Sequence, residues 1–185
     1  HEHRRQRQMC IRDRTRASWK LLDDDVLAWH LGTEPKPNFL RQLIDVRLMV
    51  EPNAAYWAAS MSSRDQVDEI HKAHSDMERA GTIQEFVVAD AKFHRAVLRA
   101  ANNELLTSME GVIFSALLTS IKITNNDPID NRTRSLPLHF EILNAIEMRD
   151  RERAETAMRD HMADTYDRLS ALLPELNLET KIYDT

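Results

Sequence analysis

The chain has 185 residues, of which 42% are hydrophobic, and this is enough for one domain with a substantial core. It contains only 3 glycines and 6 prolines, which excludes a turn-rich β architecture and predicts an all-α fold. The single cysteine, Cys10, excludes a disulfide framework and a thiolate metal cluster. No apolar run approaches the roughly 20 residues that span a bilayer, so we expect a cytoplasmic protein with no membrane partner.

The net charge of -5 is unevenly distributed along the chain. Residues 1–20 hold seven basic side chains against Glu2 and Asp13, which leaves the remainder about ten units negative. An acidic body is a poor partner for a phosphate backbone. We therefore expect residues 1–18 to be a non-native segment or a remnant linker, outside the folded domain.

The first half of the chain carries clear helix signals. Asp23, Asp24 and Asp25 begin a short helix that Gly32 ends. Asn38 is placed to cap a long helix that reaches about residue 61, which Pro52 should bend or divide. Two capping boxes, Ser63 with Gln66 and Thr82 with Glu85, predict the next two helices, over 64–80 and 83–101.

The second half predicts three more helices. An apolar segment predicts one over 104–123, and a polar loop follows at 124–134. Ser135 can cap a helix that has Pro137 in its first turn and runs to about residue 149. Asp150 can cap the last helix, which reaches about residue 173.

Four polar side chains lie on the apolar stripes of these helices: Asp90, His94, His139 and His161. Asp90 and His94 are one turn apart, His139 precedes Ile142, Leu143 and Ile146, and His161 follows Ala154, Ala157 and Met158. A carboxylate and three imidazoles are costly to bury singly, so their spacing predicts a shared divalent cation. Zinc suits this donor set, with nickel, manganese, cobalt and iron as alternatives.

Each of these residues also has an ordinary interpretation. A single histidine on an apolar face is often a hydrogen-bonded core residue, and an Asp/His pair at this spacing can be a helix-surface contact. The remaining histidines do not fit this pattern: His1, His3, His30, His71 and His74.

Arg47 is a second inward-facing charge, between Ile44 and Val50 on the first long helix. A buried guanidinium favours a carboxylate in bidentate geometry, and an effector anion held by the metal would supply one. A salt bridge to Glu51, one turn further along, is the structural alternative.

Three blocks of sequence resemble the FCD domain, the C-terminal effector-binding and dimerisation domain of FadR-subfamily GntR transcription regulators. They cover about residues 40–170 and consist of Arg47–Pro52 with the alanines that follow, Asp90–Val97 continuing into Ala101–Leu106, and His139–Ile146 with Asp150, Ala154, Met158 and His161. The resemblance implies an antiparallel bundle of six to seven helices around a central metal and ligand cavity. The domain would span residues 38–175 and be followed by a tail at 176–185.

The resemblance also implies roles for the site residues. Asp90, His94, His139 and His161 would hold the metal, and Arg47 matches a recurring ligand-contacting arginine. The effector would be a small carboxylate that coordinates the metal. Residues 19–33 resemble the interdomain linker helix of the sugar-acid branch, whose members answer to aldonates such as galactonate or gluconate.

Regulators of this kind are homodimers that bind DNA through a winged helix-turn-helix domain, and the effector modulates operator binding. Residues 1–18 are too short to encode that domain, so we expect this chain to sense a ligand and dimerise without contacting DNA itself. No catalytic residue is expected. The alternatives are a metal-dependent hydrolase, which lacks support because no HExxH or paired ExxH motif occurs, and a purely structural helical interaction module.

Overall fold

The computed structural model describes residues 37–111, 113–114, 117–118 and 127–174. The regular secondary structure in these ranges is helical, as predicted. The predicted segments at 1–18, 19–33 and 176–185 lie outside the described residues. The principal helices in chain order are α1 (Pro37–Met61), α2 (Arg64–Arg79), α3 (Ile83–Ala100), α4 (Glu104–Ser108), α5 (Leu136–Glu147) and α6 (Arg151–Leu172).

Helix α1 is one continuous helix of 25 residues with Pro52 inside it. The proline therefore does not divide the helix, and Asn38 lies within the first turn instead of before it. The buried side of α1 carries four almost fully buried alanines, whose small side chains let neighbouring helices approach closely: Ala54, Ala55, Ala58 and Ala59.

Both predicted capping boxes are confirmed. The hydroxyl of Ser63 accepts from the backbone N–H of Gln66, whose side chain accepts from the backbone N–H of Ser63. Thr82 and Glu85 make the same reciprocal pair at the start of α3. These bonds satisfy amides that have no partner within their own helix, so the starts of α2 and α3 are fixed by local sequence.

The helix predicted over 104–123 is interrupted early. Helix α4 ends at Ser108 and a turn follows at Met109, after which the described residues between 110 and 118 are helical again, as predicted. The hydroxyls of Thr107 and Ser108 donate to the backbone carbonyls of Asn103 and Leu105, at 3.1 and 2.6 Å. Such bonds compete with the regular helical pattern, which accounts for the break.

The loop predicted at 124–134 is wrong for residues 128–134. Asp127 accepts from the backbone N–H of Ile129 at 2.8 Å and begins a helical turn, Pro128–Asp130. A π-helical stretch, Asn131–Ser135, continues directly into α5. Ser135 is thus already helical and makes no capping bond, so the helix begins at the Asp-Pro pair, a start signal that the polar composition obscured.

The helices pack as an antiparallel bundle, as predicted. Helix α6 packs against α1 and α5, α2 packs against α3 and α5, and α1 also contacts α3. Their buried side chains form one main core, and a second cluster joins α1 and α3 to residues that follow α4. Among the described helices, none combines the length and the apolar character needed to cross a membrane. This packing leaves α1, α3, α5 and α6 facing a common interior.

The Thr82 cap gives a direct test of the local folding signal. Thr82→Ala removes the acceptor for the Glu85 amide and is expected to lower the free energy of unfolding by about 1 kcal/mol. Urea unfolding followed by circular dichroism measures the change. The control, Thr156→Ala, removes an exposed hydroxyl that donates to the carbonyl of Glu152 inside α6, and it should leave stability unchanged or slightly higher. Equal losses in both variants would contradict the capping argument.

Candidate metal centre

The structure brings the four predicted polar side chains together in the middle of the bundle. Asp90 and His94 come from α3, His139 from α5 and His161 from α6. All four are buried, and His139 is completely inaccessible to solvent. The apolar spacing places them there, because each occupies a core-facing position of its helix.

The side-chain tips lie close to one another. His94 Nε2 is 3.3 Å from His139 Nε2 and 3.2 Å from His161 Nε2. Asp90 Oδ1 is 3.2 Å from His139 Nε2 and 3.3 Å from His94 Nε2. The three histidines offer ligand atoms that all lie within 4.8 Å of one another, so three buried histidines could hold a metal ion.

These separations match the edges of a small coordination sphere. Donors placed about 2.0–2.1 Å from a zinc ion in tetrahedral geometry are separated by about 3.3–3.4 Å. Four of the six pairwise separations among Asp90, His94, His139 and His161 have nearly this value, and the set whose ligand atoms all lie within 4.8 Å of one another consists of the three histidines. Neutral imidazole nitrogens that face each other as acceptors repel, so the cluster needs either a proton or a cation between its members.

His139 is held in one tautomer by the backbone. Its Nδ1 lies 2.8 Å from the carbonyl oxygen of Ser135, one helical turn earlier. A ring nitrogen facing a carbonyl oxygen must carry the proton and donate, which assigns the hydrogen to Nδ1. Nε2 is then the ring nitrogen that faces Asp90 and His94, in the arrangement typical of metal-binding histidines.

Helix α1 adds a carboxylate and a guanidinium to one side of the cluster. Glu51 Oε2 lies 2.6 Å from His94 Nδ1, a close contact that is poorly aligned for a hydrogen bond. The Nε of Arg47 donates to Glu51 Oε1 at 2.6 Å, and its Nη2 to Oε2 at 3.5 Å. The salt-bridge alternative for Arg47 is therefore present in the fold, and contact of Arg47 with an effector stays a prediction.

Burial and neighbouring charges determine which side chains of the cluster are ionised. Burial raises the pKa of Glu51, but Arg47 and His94 outweigh it and lower the value to about 2. Burial likewise opposes ionisation of Asp90, yet the adjacent His139 and His94 hold its pKa well below the usual range. Both carboxylates are accordingly anionic at neutral pH.

The pKa values of His94 and His161 are shifted in opposite directions. For His94 burial lowers the pKa, but Glu51 and Asp90 raise it above the usual value. Burial is the main cause that holds the pKa of His161 well below normal, and the positive charge of nearby groups adds to this effect. His161 is therefore a neutral nitrogen donor, and His94 is the histidine that competes most strongly for a proton.

Comparison with known proteins fixes the family. Residues 42–164 match the FCD domain, within the predicted span of 38–175. The chain belongs to the FCD domain family. It is 30% identical over 85% of its length to the galactonate operon transcriptional repressor of Escherichia coli K12, and this match covers 69% of that protein. It is 28% identical over 70% of its length to the HTH-type transcriptional regulator YcbG of Bacillus subtilis 168, covering 54% of that protein.

A solved structure supports the same assignment. The Streptococcus agalactiae GntR structure has a TM-score of 0.63 to this FCD domain and 25% sequence identity. The match covers 80% of this chain and 66% of that chain. The described chain therefore has the all-α architecture of a GntR-family protein, and it spans only part of its relatives.

The sequence did not predict two contacts of the cluster, those made by Glu51 and by the Ser135 carbonyl. Glu51 follows Ile44 by seven residues and Arg47 by four, so the apolar period places it on the inward face, but its contact with His94 depends on how α1 and α3 pack. Ser135 was expected as a cap, whereas its carbonyl holds His139. The signal for Ser135 is its position one turn before a buried histidine.

The other described histidines stay outside the cluster. His71 is exposed on α2. His74 is buried, although α2 is a highly charged helix, and its ring lies against Phe93 and Phe140. Phe93 in turn contacts the rings of His94 and His139, so His74 supports the apolar wall behind the cluster.

Acid is expected to weaken the metal-free fold through Glu51. The pKa is about 2 in the folded chain and about 4.5 in the unfolded chain, so the ionised form stabilises the fold above pH 4.5. This contribution is lost as the pH falls from 4.5 towards 2. Glu51→Gln should flatten the pH dependence of the free energy of unfolding in this window, measured by urea unfolding of EDTA-treated protein.

The control for this test is Glu155→Gln. Glu155 pairs with Arg159 one turn away on α6, but both side chains are partly exposed. Pairs of that kind contribute little to stability, so the pH profile should keep its slope. A profile that flattens equally in both variants would contradict the role assigned to Glu51.

Proposed function

We propose that this FCD domain is a metal-dependent sensor of small carboxylates that serves as the effector-binding part of a GntR-family transcription regulator. The observation that carries the proposal is the convergence of His94, His139 and His161, whose ligand atoms lie within 4.8 Å of one another, with Asp90 beside His94 and His139. Four unrelated polar residues of a purely structural module would not be expected to converge from three helices.

The donor set fits a divalent metal ion. One carboxylate oxygen and three imidazole nitrogens suit zinc, with nickel, manganese, cobalt and iron as alternatives. The neutral state of His161 and the carbonyl that fixes His139 both favour ligation through nitrogen lone pairs. A bound ion would supply an electrophilic anchor for an anionic ligand.

The charges of the cluster favour an anionic ligand once a metal is present. Glu51 and Asp90 are anionic, and Arg47 supplies one buried positive charge. These three residues together carry a single negative charge, which a divalent ion would reverse to a single positive charge. A carboxylate ligand would neutralise that charge in a low-dielectric interior.

The class of ligand is inferred from the relatives. The Escherichia coli relative is named for the galactonate operon, and galactonate is a sugar acid. We take an aldonate as the first candidate, with its carboxylate on the metal and Arg47 as a second anchor. The guanidinium is fully buried beside the cluster, and this position is compatible with a shared anion.

The regulatory role follows from the family. In the whole protein we expect a homodimer that binds its operator through a winged helix-turn-helix domain. An effector that binds two dimer arrangements with different affinity shifts DNA affinity by that difference, typically about 1–3 kcal/mol.

The hydrolase alternative has less support. The relatives reported above are named as transcription regulators or repressors. Glu51 is held by Arg47 and its pKa of about 2 makes it too weak a base to accept a proton at neutral pH.

Metal binding is the first test. The chain should bind one divalent ion, and His139→Ala should weaken binding by about 100-fold or more because a donor is lost. Metal analysis after dialysis and competition with a chromogenic chelator measure this.

Affinity should also fall as the pH is lowered, because the proton on His94, whose pKa is raised, competes with the ion. His71→Ala removes an exposed histidine and should change nothing; unaltered metal content in His139→Ala would refute the site.

Ligand binding is the second test. D-galactonate should raise the melting temperature of the zinc-loaded chain and have no effect after EDTA treatment, whereas neutral galactose should have none in either state. Arg47→Met should weaken galactonate binding by about 10-fold or more, since a charge-assisted contact is lost. Arg153→Met, which removes a half-buried arginine paired with Glu141, is the matched control. A galactonate response that survives EDTA would overturn the role of the metal.

A further inference from the structure

Glu51 contacts both Arg47 and a member of the four-residue cluster. Its Oε1 accepts from Arg47 Nε at 2.6 Å, and its Oε2 lies 2.6 Å from His94 Nδ1. Arg47 Nη2 reaches the same Oε2 at 3.5 Å. The carboxylate of Glu51 therefore bridges Arg47 and His94, and the three residues form a chain from α1 to the centre of the cluster.

His94 is the member whose orientation matters most. Its Nε2 lies within 3.3 Å of Asp90, His139 and His161, so it is the common neighbour of the other three. An imidazole can present Nε2 to an ion only when Nδ1 carries the proton, and a neighbouring acceptor fixes that tautomer. For His139 the acceptor is the Ser135 carbonyl, and for His94 the facing group is Glu51.

The carboxylate is itself fixed in place. Glu51 is only 2% exposed, and α1 holds it one turn after Arg47, which is equally buried. A buried charge that has lost its partner is strongly unfavourable, so neither residue is expected to leave the pair.

We propose that Glu51 is a positioning residue that orients His94 for the metal and couples the metal to Arg47, so that one carboxylate links the ion-binding and anion-binding parts of the site. This inference rests on the proposed function. It adds to the site a positioning residue from α1, the helix that otherwise contributes only the anion anchor. A change in the contacts of Arg47 would then alter the position of His94 and, through it, the binding of the metal.

The test measures zinc affinity in the full chain by competition with a chromogenic chelator. Glu51→Gln keeps an acceptor oxygen but loses the charge, and Glu51→Ala loses both. We expect zinc affinity to fall by about 10–100-fold in the glutamine variant, and further in the alanine variant, as is typical when a residue that supports a ligating histidine is removed. Long-range proton–nitrogen NMR of the histidine rings should show the His94 signals altered and those of His139 retained.

Loss of folding is controlled in two ways. The double variant Arg47→Met with Glu51→Gln removes both buried charges, which avoids an unpaired guanidinium and preserves the fold. It should show the same zinc deficit as Glu51→Gln. Glu155→Gln breaks the corresponding one-turn pair with Arg159 on the surface of α6 and should bind zinc normally.

Each result decides between the two proposals. Zinc affinities within about threefold of the unsubstituted chain in all Glu51 variants, with equal losses of melting temperature in the zinc-loaded and EDTA-treated forms, would show a merely structural carboxylate. That result would overturn this inference and leave the proposed function intact. Failure of the unsubstituted chain to bind zinc or any other divalent ion would overturn both.

Discussion

The burial of one carboxylate and three imidazoles in a single interior is the constraint on which the rest of this structure depends. Isolated polar groups at these positions would destabilise the bundle, so their mutual placement has to be maintained by α3, α5 and α6 together. The close packing of alanines on α1 brings a further ion pair against the same cluster. The helices are thus arranged around a polar centre that is more demanding than an apolar core, because every donor and acceptor in it needs a partner.

Local signals in the sequence account for much of the fold. The capping boxes at Ser63 and Thr82 and the Asp150 cap specify helix starts through side-chain bonds within four residues, and such bonds can be inferred without knowledge of tertiary structure. Polar composition is a weaker guide, because an exposed helix is polar as well as a loop. The segment from Asp127 is polar because it is largely exposed, yet its Asp-Pro start carries it into helical structure.

In the candidate site, too, local sequence patterns predict some features and miss those that depend on tertiary packing. Periodicity was sufficient to find Asp90, His94, His139 and His161, because each departs from an apolar stripe on its own helix. Glu51 was harder to interpret, since its spacing indicated only a salt bridge to Arg47. Its contact with His94 joins residues 43 positions apart and depends on the crossing of α1 and α3, which no local pattern specifies. The identity of the metal also remains a proposal that rests on donor chemistry alone.

The spread of the four residues along the chain has a consequence for the life of the protein in a cell. His94 lies 45 positions before His139 and 67 before His161, so an ion bound by all three would close long loops and cross-link distant segments. Chain turnover would then follow metal supply, because a ligand that binds only the native state reduces the fraction open to proteolysis. If the proposed site binds such an ion, a cell starved of it would retain less of the folded chain.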